Sequence, residues 1–356
     1  MNIVRFPLEG LSADYGDIIL DSVSGNVDVI VVIFGREVLH ETYSPDTEGK
    51  VYIRDIGALA MSYDPVQDIV LEEGQDGTFI RVDFLIRELP DPDPTIICSV
   101  FIYRCDAETG GTLDTHLLTD MPLSRVIEKQ VQPRGWEFVS FYGPGEIIVQ
   151  ALYIGEDDDV QQQITIGTVP TNDGTYYRYD VSPGVIASRC GITVDRLISY
   201  EVGKQGSETI RFIVNNLPVK NETAFIFRNT FGAQETFTCT GDATTEEKWT
   251  RDFGNIGRKQ RQISRDVERG ITVNTGHIDR GTVALLEDLL NAQQIRLLED
   301  GILREVTIMQ ETVKVTSRKD DMASIEFKYR YASNNQLQAR IEGGRIFDHT
   351  FDDSFN

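Results

Sequence analysis

Gly281-Thr282-Val283-Ala284-Leu285-Leu286-Glu287-Asp288-Leu289-Leu290 is one amphipathic helix in a chain otherwise patterned for strands. Val283, Leu286 and Leu290 sit at i, i+3 and i+7, with Leu285, Leu289 and Ala292 beside them and Glu287 and Asp288 on the other face. That spacing gives a helix with a single apolar stripe, opened by Asp279 or Thr282. Upstream, Ala224-Phe225-Ile226-Phe227-Arg228-Asn229 and Glu235-Thr236-Phe237-Thr238-Cys239 read as strands, followed by a basic connection; downstream strands fit at 295–298, 304–309 and 324–331. In the last of these, Ile325, Phe327, Tyr329 and Tyr331 alternate onto one face, the mark of a half-buried strand. A helix packed across such a sheet predicts a C-terminal α+β module over residues 223–335.

Toward the N-terminus the pattern is all strand. Val27-Asp28-Val29-Ile30-Val31-Val32-Ile33-Phe34, Gly35-Arg36-Glu37 and Val38-Leu39-His40-Glu41-Thr42-Tyr43 form two β-branched runs around a glycine turn, which is a hairpin. Pro45-Asp46-Thr47-Glu48-Gly49 makes a second turn and Val51-Tyr52-Ile53 a third linked strand, favouring a sandwich over a parallel sheet. A turn or two of helix fits at 54–63, and strands fit at 78–85, 96–104, 136–142 and 146–154. Pro90-Asp91-Pro92-Asp93-Pro94 lacks alternate amide protons and reads as an exposed loop. Further on, Ser182 as N-cap, Pro183 at the first position and Gly191 as the stop define a short helix, followed by strands at 197–202, 209–214 and 223–227. The expected fold is mainly β, with two or three β-sandwich-like domains and the C-terminal α+β module carrying one short amphipathic helix. The expected units are an acidic β-rich domain over 1–160, a middle β-rich domain or extension over 161–222, the module over 223–335, and a tail over 336–356. Phe347, Phe351 and Phe355 mark that tail as disordered or docking on a neighbour.

Charge is unevenly spread. The 356 residues carry 57 acidic and 34 basic side chains, a net charge of −23, and residues 1–160 alone hold 30 acidic against 10 basic. Such a surface repels phosphate backbones, so no nucleic-acid partner is expected. The longest apolar run, 27–34, is far short of the roughly 20 residues that cross a bilayer, so no membrane insertion is expected. The N-terminal residues have no secretory-signal pattern. Arg258, Lys259, Arg261 and Arg265 form the one basic cluster. It reads as a solvated loop or as an arm contacting the acidic half of an adjacent copy.

Chemistry is hard to find. His40, His116, His277 and His349 are scattered, away from one another and from Cys98, Cys105, Cys190 and Cys239. Zinc sites and histidine-based catalytic motifs need tighter spacing. No nucleophile elbow, phosphate-binding loop or dinucleotide turn is present, so no enzyme activity and no cofactor are expected. Glu156, Asp157, Asp158 and Asp159 form a solvated acidic turn or gather a hard cation such as calcium, although the spaced calcium-loop pattern is missing. Cys98 and Cys105, at an odd spacing on one strand, face opposite sides and are not expected to bridge. Trp136, Trp249, Tyr176, Tyr177 and Tyr179 read as core or rim packing, with sugar stacking as the alternative.

Phe225-Ile226-Phe227-Arg228-Asn229-Thr230-Phe231-Gly232-Ala233-Gln234-Glu235-Thr236-Phe237, the Thr275-Gly276 step, Leu285-Leu286-Glu287-Asp288-Leu289-Leu290 and Ile325-Glu326-Phe327-Lys328-Tyr329-Arg330 carry a resemblance, as does the turn-and-strand unit at 43–53. Together they resemble virion proteins of tailed phages and prophages of gut Bacteroidetes. The resemblance implies a structural subunit of a tail tip, baseplate or fibre junction, with partners that are copies of itself in a ring and other virion proteins. It implies assembly in the host cytoplasm and residence in the virion, and it transfers no catalytic or ligand residues. Arg258, Lys259, Arg261, Arg265, Val283, Leu286 and Leu290 are the expected inter-subunit contacts. The alternative is a carbohydrate-binding host-recognition adhesin, calcium-assisted, working through exposed tyrosines.

Overall fold

The computed structural model describes residues 1–7, 9–13, 15–63, 68–90, 96–105, 118–156, 159–170, 175–219, 221–256, 259–309 and 324–332. The chain is mainly β. Its first module comprises β1 (Asn2–Arg5), β2 (Glu9–Leu11), β3 (Ile18–Asp21), β4 (Val27–Ile33), β5 (Arg36–Tyr43), β6 (Val51–Ile53), α1 (Ile56–Tyr63), β8 (Ile80–Glu88) and β9 (Ile96–Tyr103), while β7 (Gly74–Thr78) lies in the same stretch of chain but pairs outside it. The order β2-β9-β8-β4-β5 forms one sheet and β1-β3-β6 a second. Val29, Val31, Phe84 and Ile102 of the first pack against Ile18, Leu20, Val51 and Ile53 of the second in one fully buried core, with Ile56 and Ala60 of α1 closing it. The β4–β5 hairpin forms as the sequence predicts. Its two-residue turn, Phe34-Gly35, takes φ of +50° and +73°, the positive pair that matches the strand twist. The third strand of that run does not continue the hairpin: Val51–Ile53 pairs with β3 in the opposite sheet, because its buried Val51 and Ile53 fill the other wall of the core.

The middle module adds β10 (Glu128–Val131), β11 (Phe138–Tyr142), β12 (Gly145–Ile154), β13 (Asp159–Val169), β14 (Thr175–Asp180), α2 (Pro183–Cys190), β15 (Leu197–Lys204) and β16 (Thr209–Val214). The order β10-β16-β15-β12-β13 is covered by β11-β14-β7, with Phe141, Val149, Tyr200 and Phe212 between the layers. The boundary expected at residue 160 therefore falls inside a hairpin. β12 pairs with β13 from Ile154↔Asp159 to Gly145↔Val169. β7, from the first 160 residues, also belongs to this module through β14. The α2 helix ends as expected at Gly191, with φ of +72°. Ser182 precedes it but makes no side-chain cap; its hydroxyl instead accepts from the Glu137 amide at 3.0 Å.

The C-terminal module comprises β17 (Thr223–Arg228), β18 (Gln234–Cys239), β19 (Ala243–Ile256), β20 (Lys259–Asn274), α3 (Arg280–Asn291), β21 (Ile295–Glu299), β22 (Ile302–Ile308) and β23 (Glu326–Tyr331). Its seven strands run β18-β17-β21-β22-β23-β20-β19, and α3 lies across them. Asp279 caps α3 by accepting from the Thr282 amide at 2.9 Å. Leu285, Leu286 and Leu289 pack on Phe225, Phe227 and Phe327 of the sheet.

Candidate assembly interface

The basic cluster lies on a long hairpin. β19 and β20 pair from Ala243↔Val273 to Ile256↔Lys259, but β20 meets β23 only over residues 271–274. Among the described residues no third strand accompanies residues 246–256 and 259–270. At ~3.3 Å per residue this two-stranded arm reaches on the order of 35 Å beyond the sheet. Two ion pairs brace its root: Lys328 Nζ to Glu246 at 2.6 Å and Arg269 to Glu247 at 2.5 Å.

Strand alternation sets what the arm presents. Trp249, Arg251 and Phe253 share one face, and the Arg251 guanidinium lies 5.8 Å from the Trp249 ring centre. A bulge between Asp252 and Phe253 leaves Ile263 as the extra residue on β20. Ile263 folds over Gly254 on the opposite face, where any Cβ would come within 1.9 Å of Ile263 Cδ1. Trp249, Phe253 and Ile263 are 46%, 56% and 67% exposed. Both faces of the ribbon thus show apolar groups to solvent, in a segment, 248–265, that carries six basic side chains and one acidic.

The sequence-predicted residues divide sharply. Lys259 and Arg261 are exposed near the distal end of the arm. Arg265 stands opposite Arg251 in the ladder, and Arg258 lies outside the described residues. Of Val283, Leu286 and Leu290, Leu286 is buried and the other two, partly covered, pack against the same core, because the stripe they form covers the module's own sheet. Trp249, Phe253 and Ile263 are the residues missed as an arm surface, since 240–257 reads as a connection. Val267, Ile271 and Val273 beyond it were the available strand signal.

Other expected sites give less. Glu156 and Asp159 are exposed, Asp157 and Asp158 lie outside the described residues, and among the described residues no three His, Cys, Asp or Glu side chains gather to hold a metal. The tyrosines do not form a stacking platform: Tyr176 and Tyr179 are buried and Tyr177 packs against the middle core. The four cysteines are free thiols, with Cys105 and Cys239 buried. The proline loop at 91–95, His116, His349 and the tail at 336–356 lie outside the described residues. No helix among the described residues is long and apolar enough to cross a membrane.

A buried polar seam holds the middle module to the C-terminal one. Asp76 of β7 accepts from Arg178 at 2.9 Å and Arg228 at 3.2 Å through Oδ1, and from Ser140 at 2.7 Å and the Gln234 amide at 2.9 Å through Oδ2. Beside it Lys129 bridges Glu137 at 2.5 Å to the Thr236 carbonyl, and Glu235 accepts from Ser124 and Asn229 at 2.7 Å each. Burial pushes Glu137 up to about 7 against the pull of Lys129, and burial likewise raises Glu235. Both oxygens of Asp76 and of Glu235 are taken by protein donors, which makes the seam a clamp between modules. A nearby pocket of about 60 Å³, lined by Arg104, Thr230, Asp288 and Gln294, has room for a few ordered waters. No family model matches the chain, and no curated protein is detectably similar to it.

Proposed function

We propose that this chain is a structural subunit of a bacteriophage tail or related particle, at a tail tip, baseplate or fibre junction. It acts through contacts between β modules of neighbouring copies and is assembled in the host cytoplasm into the virion. The observation that carries the reading is the arm: a two-stranded ribbon with Trp249, Phe253 and Ile263 open to solvent and a basic distal half, on a chain whose first 160 residues are strongly acidic. A bare ribbon of this kind is marginal on its own. Apolar groups on both of its faces favour burial against another surface. Opposite potentials at the two ends of one chain favour head-to-tail contact, which closes into a ring when the rotation allows.

The test is the mass in solution by light scattering across concentration and salt. The wild-type chain is expected to form a discrete assembly that weakens as salt rises. Lys259→Glu/Arg261→Glu is expected to impair that assembly and leave thermal unfolding unchanged, since both side chains are exposed. Unaltered assembly in the double variant removes the arm from the mechanism.

A further inference from the structure

The arm needs a seat, and the outer face of the first module's larger sheet has the matching character. Its inner face is filled by Val29, Val31, Phe84, Ile86 and Val100. Across the outer face, register aligns Ile97 with Leu85, Leu85 with Ile30 and Ile30 with His40. The next row runs Ser99, Asp83, Val32 and Glu37. Ile97 is 70% exposed, and Leu85, Ile30 and Val32 are only partly covered. An isolated exposed isoleucine is ordinary; an apolar row crossing three strands, with the exposed Glu37 and an Asp83 held by Arg81 and Ser99 in the row beside it, is the composition of a contact.

Resting on the assembly reading above, we propose that this outer face, centred on Ile97, Leu85, Ile30 and Val32, is the seat of the arm from a second copy of the chain. The acidity of the module around the face selects that occupant, while on the face itself Arg81 pairs with Asp83 at 3.0 Å and Arg87 with Asp28 at 2.6 Å, which leaves Glu37 as its acidic contact. The first 105 residues hold 19 acidic and 7 basic side chains, whereas 248–265 holds one acidic and six basic. In this pairing Phe253 and Trp249 meet the apolar row, and the distal cations reach Glu37, exposed at its rim. The contact is heterologous, arm to seat, so each copy uses both surfaces.

The experiment is complementation between two variants of the full chain, read by light scattering. The arm variant is Phe253→Ser/Lys259→Ser/Arg261→Ser, and the seat variant is Ile97→Arg/Glu37→Arg; all five positions are exposed, and circular dichroism checks that both fold. Each variant alone is expected to associate about tenfold or more weakly than wild type. Mixed in equal amounts, they are expected to form a dimer that neither forms alone, because one intact arm meets one intact seat. A seat variant that assembles like wild type overturns the seat while leaving the arm reading standing. Two defective variants that fail to pair on mixing overturn the arm-to-seat contact in favour of like-to-like packing. An arm variant that assembles normally, or a wild-type chain monomeric at every concentration, overturns the underlying assembly reading as well.

Discussion

Asp76→Ala should be among the most damaging single substitutions in this chain. Asp76 is 1% exposed, and its carboxylate takes two arginines, a serine hydroxyl and a backbone amide. Arg178, one of those arginines, is itself among the largest fully buried side chains. Removing the carboxylate leaves a guanidinium buried without its counter-charge, and a hydroxyl and an amide without their acceptor. Breaking such a pair from one side costs about 3–5 kcal/mol. The loss spans the middle and C-terminal modules, since Asp76 on β7 and Arg178 on β14 share one sheet and Arg228 lies on β17 of the other. Chemical denaturation followed by circular dichroism and by tryptophan fluorescence measures it, with Trp136 tilted against Phe138 at 6.3 Å between ring centres. Asp76→Leu/Arg178→Met should recover part of the loss, because the orphaned charge goes with its partner. A stability within about 1 kcal/mol of wild type for Asp76→Ala, or strict additivity in the double variant, would refute the clamp.

Leu289→Ala, at a fully buried position on α3, is expected to cost about 2–5 kcal/mol in denaturant melts while the folded variant assembles like wild type; selective loss of assembly would return the helix to the interface. For Glu137, a folded-state value raised to about 7 means that the folded chain binds more protons than the unfolded chain between roughly pH 4.5 and 7. Its contribution is therefore present in full at acid pH and fades as pH rises through about 7, by roughly 2–3 kcal/mol between pH 5 and 8. Glu137→Gln should flatten that slope, and an unchanged pH profile would count against it.

What the sequence disclosed follows from where periodicity exists. The β4–β5 hairpin and α3 were legible because each has one face on a core, and burial imposes a period of two or of 3.6. The arm was legible in its charge, as the basic cluster at 258–265, but not in its strand pairing, because a ribbon wet on both faces has no burial to impose alternation. β7 was missed for a related reason: Gly74-Gln75-Asp76-Gly77-Thr78 carries almost no strand-forming side chains, and β14 recruits it through backbone pairing. Gly77 is the condition of that pairing, since a Cβ there would come within 1.8 Å of the Tyr176 ring. The stripe of Val283, Leu286 and Leu290 was legible as apolar but not as to its partner, because one helix face fits a chain's own sheet and a neighbour's equally well.

The seam bears on the proposed assembly through orientation. Three modules, each with its own apolar core, could have met through apolar contact alone, and in part they do, at Tyr103, Tyr142, Tyr176 and Phe231. Apolar contact is tolerant of small rotations, whereas a buried network of Asp76, Arg178, Arg228, Lys129, Glu137 and Glu235 is satisfied in few geometries and penalises every other. Arm and seat sit at opposite ends of the sequence, so the angle between them is set by the relation of the C-terminal module to the first. In a head-to-tail array that angle repeats at each contact, and an error of a few degrees accumulates until the ring fails to close. On this reading the charged seam fixes one orientation of the C-terminal module against the middle one, even where an apolar joint of the same volume would be equally stable, and the Tyr103 hydroxyl on the Phe231 carbonyl at 2.5 Å carries that orientation to the first module.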